Sequence, residues 1–123
     1  MKTVVLKFGG TSVGSIDRIK KVCKIIAFYK KNKNRVLVVS SAMSGVTNEL
    51  VNKSKKISNN FDKAEYDALV STGEQVSCAL IAGRLKHNGY KSRSWTSWQL
   101  PILTDGPHSC ARISSVGVKE LNK

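Results

Sequence analysis

An α/β fold with a mainly parallel sheet is the class this sequence predicts, and three observations carry that prediction. Residues 4–8 (VVLKF) and 35–39 (RVLVV) are short apolar runs with β-branched residues, the mark of buried strands. Between them Ile16, Ile19, Val22, Cys23 and Ile26 recur at helical spacing, so 16–31 reads as an amphipathic helix. Strand, helix and strand within about 35 residues make a βαβ unit, which requires parallel strands and a right-handed crossover.

Each element has its own local justification. The turn Gly9-Gly10-Thr11-Ser12-Val13-Gly14 follows the first strand, and Ser15 reads as the N-cap of the first helix, with Asp17 in its first turn. Lys20, Lys21, Lys24, Lys30 and Lys31 fill the other face and the end of that helix, and 32–34 is a polar loop. Ser40-Ser41-Ala42-Met43-Ser44-Gly45 forms a second turn after a strand. A helix over 48–57 follows, capped by Thr47 or Asn48, and its basic end runs into a loop at 53–60. Asp62 caps a helix reaching Val70, Ser71-Thr72-Gly73 interrupts it, and a further helix spans 74–87. Val76, Leu80 and Ile81 are expected inside, with Gly89 as the stop. Residues 91–98 alternate partly and read as a third strand, 102–104 as a short strand, and 113–123 as the start of a last helix.

Composition excludes several classes. The chain has 123 residues, 41% hydrophobic and 24% charged, which fits one globular unit rather than a disordered chain. No apolar run approaches the ~20 residues of a membrane span, and Val4-Val5-Leu6 is too short for a signal-peptide core. Lys and Arg number 21 against 8 Asp and Glu, a net charge of +13 that attracts polyanions. That excess is read as lysine spread over solvated helix faces, with nucleic acid bound only non-specifically. Residues 18–35 hold only Phe28 and Tyr29 as aromatics, and Phe28 is expected to face inward. Cys23, Cys78 and Cys110 are far apart and odd in number, so no zinc site or disulfide framework is expected, and the reducing cytoplasm is the expected compartment.

Three segments are candidates for chemistry. In Lys7-Phe8-Gly9-Gly10-Thr11-Ser12, glycines directly after a strand let backbone amides approach a ligand, and the next helix N-terminus favours anions. Lys7 adds a full positive charge beside those donors. Ser15-Ile16 stands where a Walker A motif needs Lys-Ser/Thr, so this is no P-loop, and no G-x-G-x-x-G is present. The same residues would also serve as a tight βα turn with an exposed lysine. Ser40, Ser41, Ser44 and Thr47 cluster at the carboxyl end of the second strand, where open α/β sheets bind ligands. In Ser71-Thr72-Gly73-Glu74-Gln75, Glu74 either complements a helix N-terminus or faces a cationic ligand atom. Spacing leaves both open.

Together KFGGTSVGS at 7–15, VVSSAMSGVTNEL at 38–50 and STGEQVSCAL at 71–80 closely resemble the aspartokinases, of the amino acid kinase superfamily. The resemblance continues through SWTSWQLPILTDGPHSCARI at 94–113 and so covers nearly the whole chain. It implies a three-layer αβα sandwich with a mainly parallel sheet, of which 1–123 would be the N-terminal half. It implies transfer of the γ-phosphoryl group of ATP to the β-carboxylate of L-aspartate, the step that opens synthesis of lysine, threonine, methionine and diaminopimelate. Lys7 would stabilise the transferring phosphoryl group, and Phe8, Gly9 and Gly10 would form the amide-lined turn beside the phosphates. Ser41 would supply a hydroxyl near the phosphates, Thr47 would contact aspartate, and Glu74 would face its amino group. Mg2+ would bridge phosphate oxygens with few protein ligands of its own. Phosphoryl transfer needs positioning and charge neutralisation, and a carboxylate nucleophile is already ionised at pH 7. In His108-Ser109-Cys110-Ala111-Arg112, Ser109 departs from the glycine that many relatives carry. Family kinase domains extend well past this length, so a complementing C-terminal half or a homodimer partner is expected. The alternative is a non-catalytic basic fragment that binds nucleic acid or a protein.

Overall fold

The structure is a computed structural model that describes residues 1–119 and 121. Strand β1 (Thr3–Phe8) and strand β2 (Arg35–Ser40) pair in parallel, in register from Thr3 opposite Arg35 to Phe8 opposite Ser40. Helix α1 (Ile16–Lys31) is their crossover, and its Ser15 N-cap accepts from the Arg18 amide at 3.2 Å. The βαβ unit is thus the one its periodicity dictates.

Strand alternation decides which face of this pair is covered. Leu6 and Phe8 pack with Val36 and Val38 against α1 and against the later part of helix α3 (Lys63–His87). Ile19, Val22, Cys23 and Ile26 from α1 meet Ile81 and Leu85 from α3 in that core. Each such aliphatic side chain contributes roughly 1.5–3 kcal/mol on burial. On the opposite face Val5 and Val39 are 59% and 48% exposed, and Lys7 stands between them. No described residue covers that face.

Several elements differ from expectation, each for a local reason. Helix α2 (Val46–Ile57) begins two residues early, and neither Thr47 nor Asn48 caps it. Gly45 takes that position at φ 83°, a left-handed conformation that glycine adopts without penalty. The two helices expected over 62–70 and 74–87 are one: α3 runs unbroken through Ser71-Thr72-Gly73, and Asp62 caps it by accepting from the Glu65 amide at 3.0 Å. The Ser71 and Thr72 hydroxyls donate to the carbonyls three residues back, at 2.8 and 2.7 Å, and the helix absorbs them. Of its three expected core residues only Ile81 is buried; Val76 and Leu80 are exposed. Phe28 is also outside, 63% exposed and edge-on to Tyr29.

Residues 91–98 form no strand. Ser92 is pinned to the Ala82 carbonyl at 2.8 Å, and the Arg93 guanidinium lies 4.0 Å over the Trp95 ring. The expected short strand exists as β3 (Ile102–Asp105), and it pairs antiparallel with β4 (Arg112–Val116). Strand β4 stands where a last helix was expected; residues 120, 122 and 123 of that expectation lie outside the described residues. No helix among the described residues is long and apolar enough to cross a membrane.

Candidate active site

Two turns at the carboxyl ends of β1 and β2 are built against each other. After β1 the Gly9 carbonyl accepts from the Ser12 and Val13 amides at 3.0 and 3.3 Å, folding the chain back toward the start of α1. The Phe8 carbonyl accepts from the Ser41 amide at 3.0 Å and so ties the first turn to the second. A Cβ at Gly10 would lie 3.2 Å from the Ala42 carbonyl oxygen, and one at Gly14 would lie 3.2 Å from Ser44 Cβ. A side chain at either position would require its neighbour to give way by a few tenths of an ångström. The Gly9 and Gly10 amides donate to no other group among the described residues.

Lys7 is the penultimate residue of β1, exposed and opposite Val39. Ser41 is half-buried, and its hydroxyl bonds nothing else among the described residues. Thr47, in the first turn of α2, is exposed and makes no hydrogen bond through its hydroxyl to a described residue. Lys7, Phe8, Gly9, Gly10 and Ser41 therefore share one rim of the parallel pair. Thr47 lies on the helix that leads away from it.

Glu74 joins this rim from a different direction. It sits in the interior of α3, not in a first turn, so the macrodipole gives no reason for its charge. Its Oε1 accepts from the Ala42 amide at 3.3 Å, directly after Ser41. Gly73 makes the approach possible: a Cβ there would come within 2.9 Å of Ala42 Cβ. Beyond Glu74 opens a cleft of about 240 Å³, lined by Ser71, Glu74, Cys78, Trp95, Thr96 and Trp98. Burial, together with the Glu74 carboxylate, pushes the Cys78 thiol above its ordinary pKa.

Sequence reasoning missed Ser77, which is fully buried and bonds the Ser41 carbonyl at 2.7 Å. Its signal was available, since Glu74 and Ser77 are three apart and share a helix face. It also missed Asp67, which holds the tip of the β3–β4 hairpin. Asp67 accepts from the Ser109 amide at 2.9 Å and the Ser109 hydroxyl at 3.1 Å, and it pairs with His108 Nδ1 at 3.1 Å. Ser109 has φ 65°, in the region that favours glycine.

A lysine and two unengaged amides thus stand at the start of a βαβ crossover, with a carboxylate one peptide away. A sequence model of the amino acid kinase family matches residues 2–123. The chain belongs to the amino acid kinase family. Among curated members it is similar to the aspartokinase of Rickettsia felis, 47% identical over 126 residues that cover all of this chain and 31% of the relative. The aspartokinase of Geobacillus stearothermophilus is 48% identical over 123 residues, again all of this chain and 30% of that protein. A crystal structure of aspartate kinase from Synechocystis superposes with a TM-score of 0.68 at 43% identity, covering 72% of this chain and 15% of that one. This amino acid kinase chain thus spans about a third of the length of the aspartokinases it matches.

Proposed function

We propose that residues 1–123 are the N-terminal portion of an aspartokinase kinase domain and carry its phosphate turn and part of its aspartate site. The observation that supports this best is the junction of three elements, where the Lys7–Gly10 turn, the Ser41 turn and Glu74 are joined by hydrogen bonds through Phe8 and Ala42. In the proposed reaction a β-carboxylate oxygen of L-aspartate attacks the γ-phosphorus of ATP. The new O–P bond forms as the bond to ADP breaks, giving β-aspartyl phosphate and ADP. Lys7 faces the charge that builds on the transferring group, and the Gly9 and Gly10 amides with the Ser41 hydroxyl hold phosphate oxygens. Glu74 holds the aspartate ammonium, and Thr47 contacts aspartate. No group of three or more His, Cys, Asp or Glu that could hold a metal ion occurs among the described residues. Mg2+ would supply charge neutralisation at the phosphates, with few ligands from the protein itself. The pathway role, opening lysine, threonine, methionine and diaminopimelate synthesis in the cytoplasm, belongs to the same proposal.

A complementing C-terminal half is the proposed partner. The exposed Val5 and Val39 face supports this, because an apolar sheet face of that kind is a docking surface or a liability. The test is a fusion of residues 1–123 to the remaining part of the Geobacillus stearothermophilus aspartokinase, assayed by coupled ADP release. The fusion should turn over in an aspartate-dependent way, and the isolated chain should not. Lys7→Ala should lower kcat on the order of 10²-fold, whereas Glu74→Gln should chiefly raise KM for aspartate. An unchanged aspartate KM in Glu74→Gln would remove that residue from the substrate site.

A further inference from the structure

One peptide plane in the second turn is gripped at both polar ends by a single helix. The Ser41 carbonyl accepts from the Ser77 hydroxyl at 2.7 Å, and the amide of the same plane, on Ala42, donates to Glu74 Oε1 at 3.3 Å. Glu74 and Ser77 are one turn apart on the same face of α3. Ser77 is 0% exposed, and the buried Ser40 hydroxyl adds to the grip, reaching the same carbonyl at 3.1 Å and Ser77 Oγ at 3.5 Å.

A serine inside a helix ordinarily gives its one proton to a carbonyl of its own preceding turn. That acceptor exists here, the Glu74 carbonyl at 3.1 Å, yet a shorter bond goes to Ser41, 36 residues away in sequence. The shorter distance favours the turn as the acceptor of that proton. Without it, rotation about Ser41 ψ and Ala42 φ, the soft torsions flanking the plane, would let the carbonyl swing away from α3. The chain beyond these torsions carries the Ala42 carbonyl and Ser44, which lie close against Gly10 and Gly14, so each such swing would also loosen the fit of the second turn on the first.

We infer that Ser77 is a positioning residue for phosphate binding: by holding the Ser41–Ala42 peptide against α3 it fixes the second turn against the Gly9–Gly10 turn. This rests on the phosphate-turn reading above. Glu74 then has two duties, since the oxygen that accepts from Ala42 couples the proposed aspartate site to the phosphate turn.

The experiment uses the 15N-labelled chain as it stands, with Ser77→Ala and Ser77→Cys. Cysteine fills the site with a somewhat larger, weakly donating thiol, so it decides the case if the alanine variant does not fold. Inorganic tripolyphosphate is titrated while the Gly9, Gly10 and Ser41 amides are followed, and Ala42 amide exchange is measured with α1 amides as the control. Both variants should bind tripolyphosphate several-fold more weakly, and Ala42 should exchange about tenfold faster, while α1 is unchanged. A purely structural Ser77 would lower the melting temperature yet leave tripolyphosphate affinity of the folded protein alone, and equal affinity in wild type and variants overturns the inference. Absence of binding to wild type is a different failure, because it removes the phosphate-turn reading and the role of Ser77 with it.

Discussion

Gly73 and Gly83 lie ten residues apart on the same helix, and the same substitution should have opposite signs at the two sites. In an open helical position glycine is about 1 kcal/mol less favourable than alanine. Gly83 is exposed, and a Cβ there would meet nothing within 4 Å. Gly83→Ala should therefore gain close to that full amount. Gly73 is buried, and its Cβ would lie 2.9 Å from Ala42 Cβ, 3.3 Å from Val46 Cγ1 and 3.6 Å from Leu50 Cδ1. Neither Ala42 Cβ nor the β-branched Val46 can swing clear as a long side chain would. Overpacking of this kind costs about 1–3 kcal/mol, which equals or exceeds the helix gain. The net effect at Gly73 should be a loss of about 0–2 kcal/mol. At about 4 °C per kcal/mol for a chain of this size, Gly83→Ala should melt some 4 °C above wild type. Gly73→Ala should melt at or below wild type, by as much as about 8 °C. Urea unfolding of both variants at 25 °C checks the ranking without reliance on heat. Equal stabilisation by the two substitutions would mean that α3 does not press on the 41–46 segment, and the clamp on Ser41 would fall with it.

Other expectations concern charge and thiols. The Asp67 carboxyl is held below the ordinary carboxylate range, first by the Ser109 amide and then by the His108 and Ser109 side chains. With the folded value depressed, its support of the hairpin tip is complete above pH ~4 and lost as pH falls through the folded value. Asp67→Asn should flatten that acid limb, followed through NMR signals of residues 105–112. Burial raises the Cys23 and Cys78 thiols, with Arg84 opposing the rise at Cys23. Iodoacetamide at pH 8 should modify exposed Cys110 first, Cys78 later and Cys23 only on global unfolding, and early labelling of Cys23 would contradict the packing of α1 on α3. Nucleic acid should bind through the +13 charge alone, so log-affinity should fall steeply with log salt regardless of base sequence.

What the sequence revealed, and what it did not, follows from the range of the forces involved. The β1–α1–β2 unit is legible because periodicity and the Ser15 cap are local and agree with tertiary packing. Continuity of α3 was not legible. Ser71-Thr72-Gly73 carries every local sign of a break, and the reason for Gly73 is Ala42, thirty-one residues upstream. The Gly45 start of α2 was hidden for a related reason, because Thr47 and Asn48 are good capping residues that the chain leaves unused. Trp95 lent residues 91–98 the alternation of a strand, whereas it and Trp98 wall the cleft beside Glu74. For the candidate site, the strand-end turns were visible from glycine, lysine and serine placement. The three-residue spacing puts Glu74 and Ser77 on one helix face, but their hydrogen bonds with the second turn are long-range contacts, and spacing alone does not say which turn they meet.

The β3–β4 hairpin gives no side chain to the main core, and its strands are almost wholly exposed. The Asp67 bonds join it to α3, while the Gly117 amide, donating to the Pro101 carbonyl at 2.7 Å, closes the base of the hairpin itself. The mutational load of the chain is divided accordingly. Changes within 102–116 and changes among Ile19, Val22 and Ile81 share no partners, so their free-energy effects should add. Drift in the hairpin then proceeds without drawing on the stability of the strand pair that carries Lys7. Variants at Asp67, or at His108 and Ser109 that bond to it, are the ones among the described residues expected to break that independence.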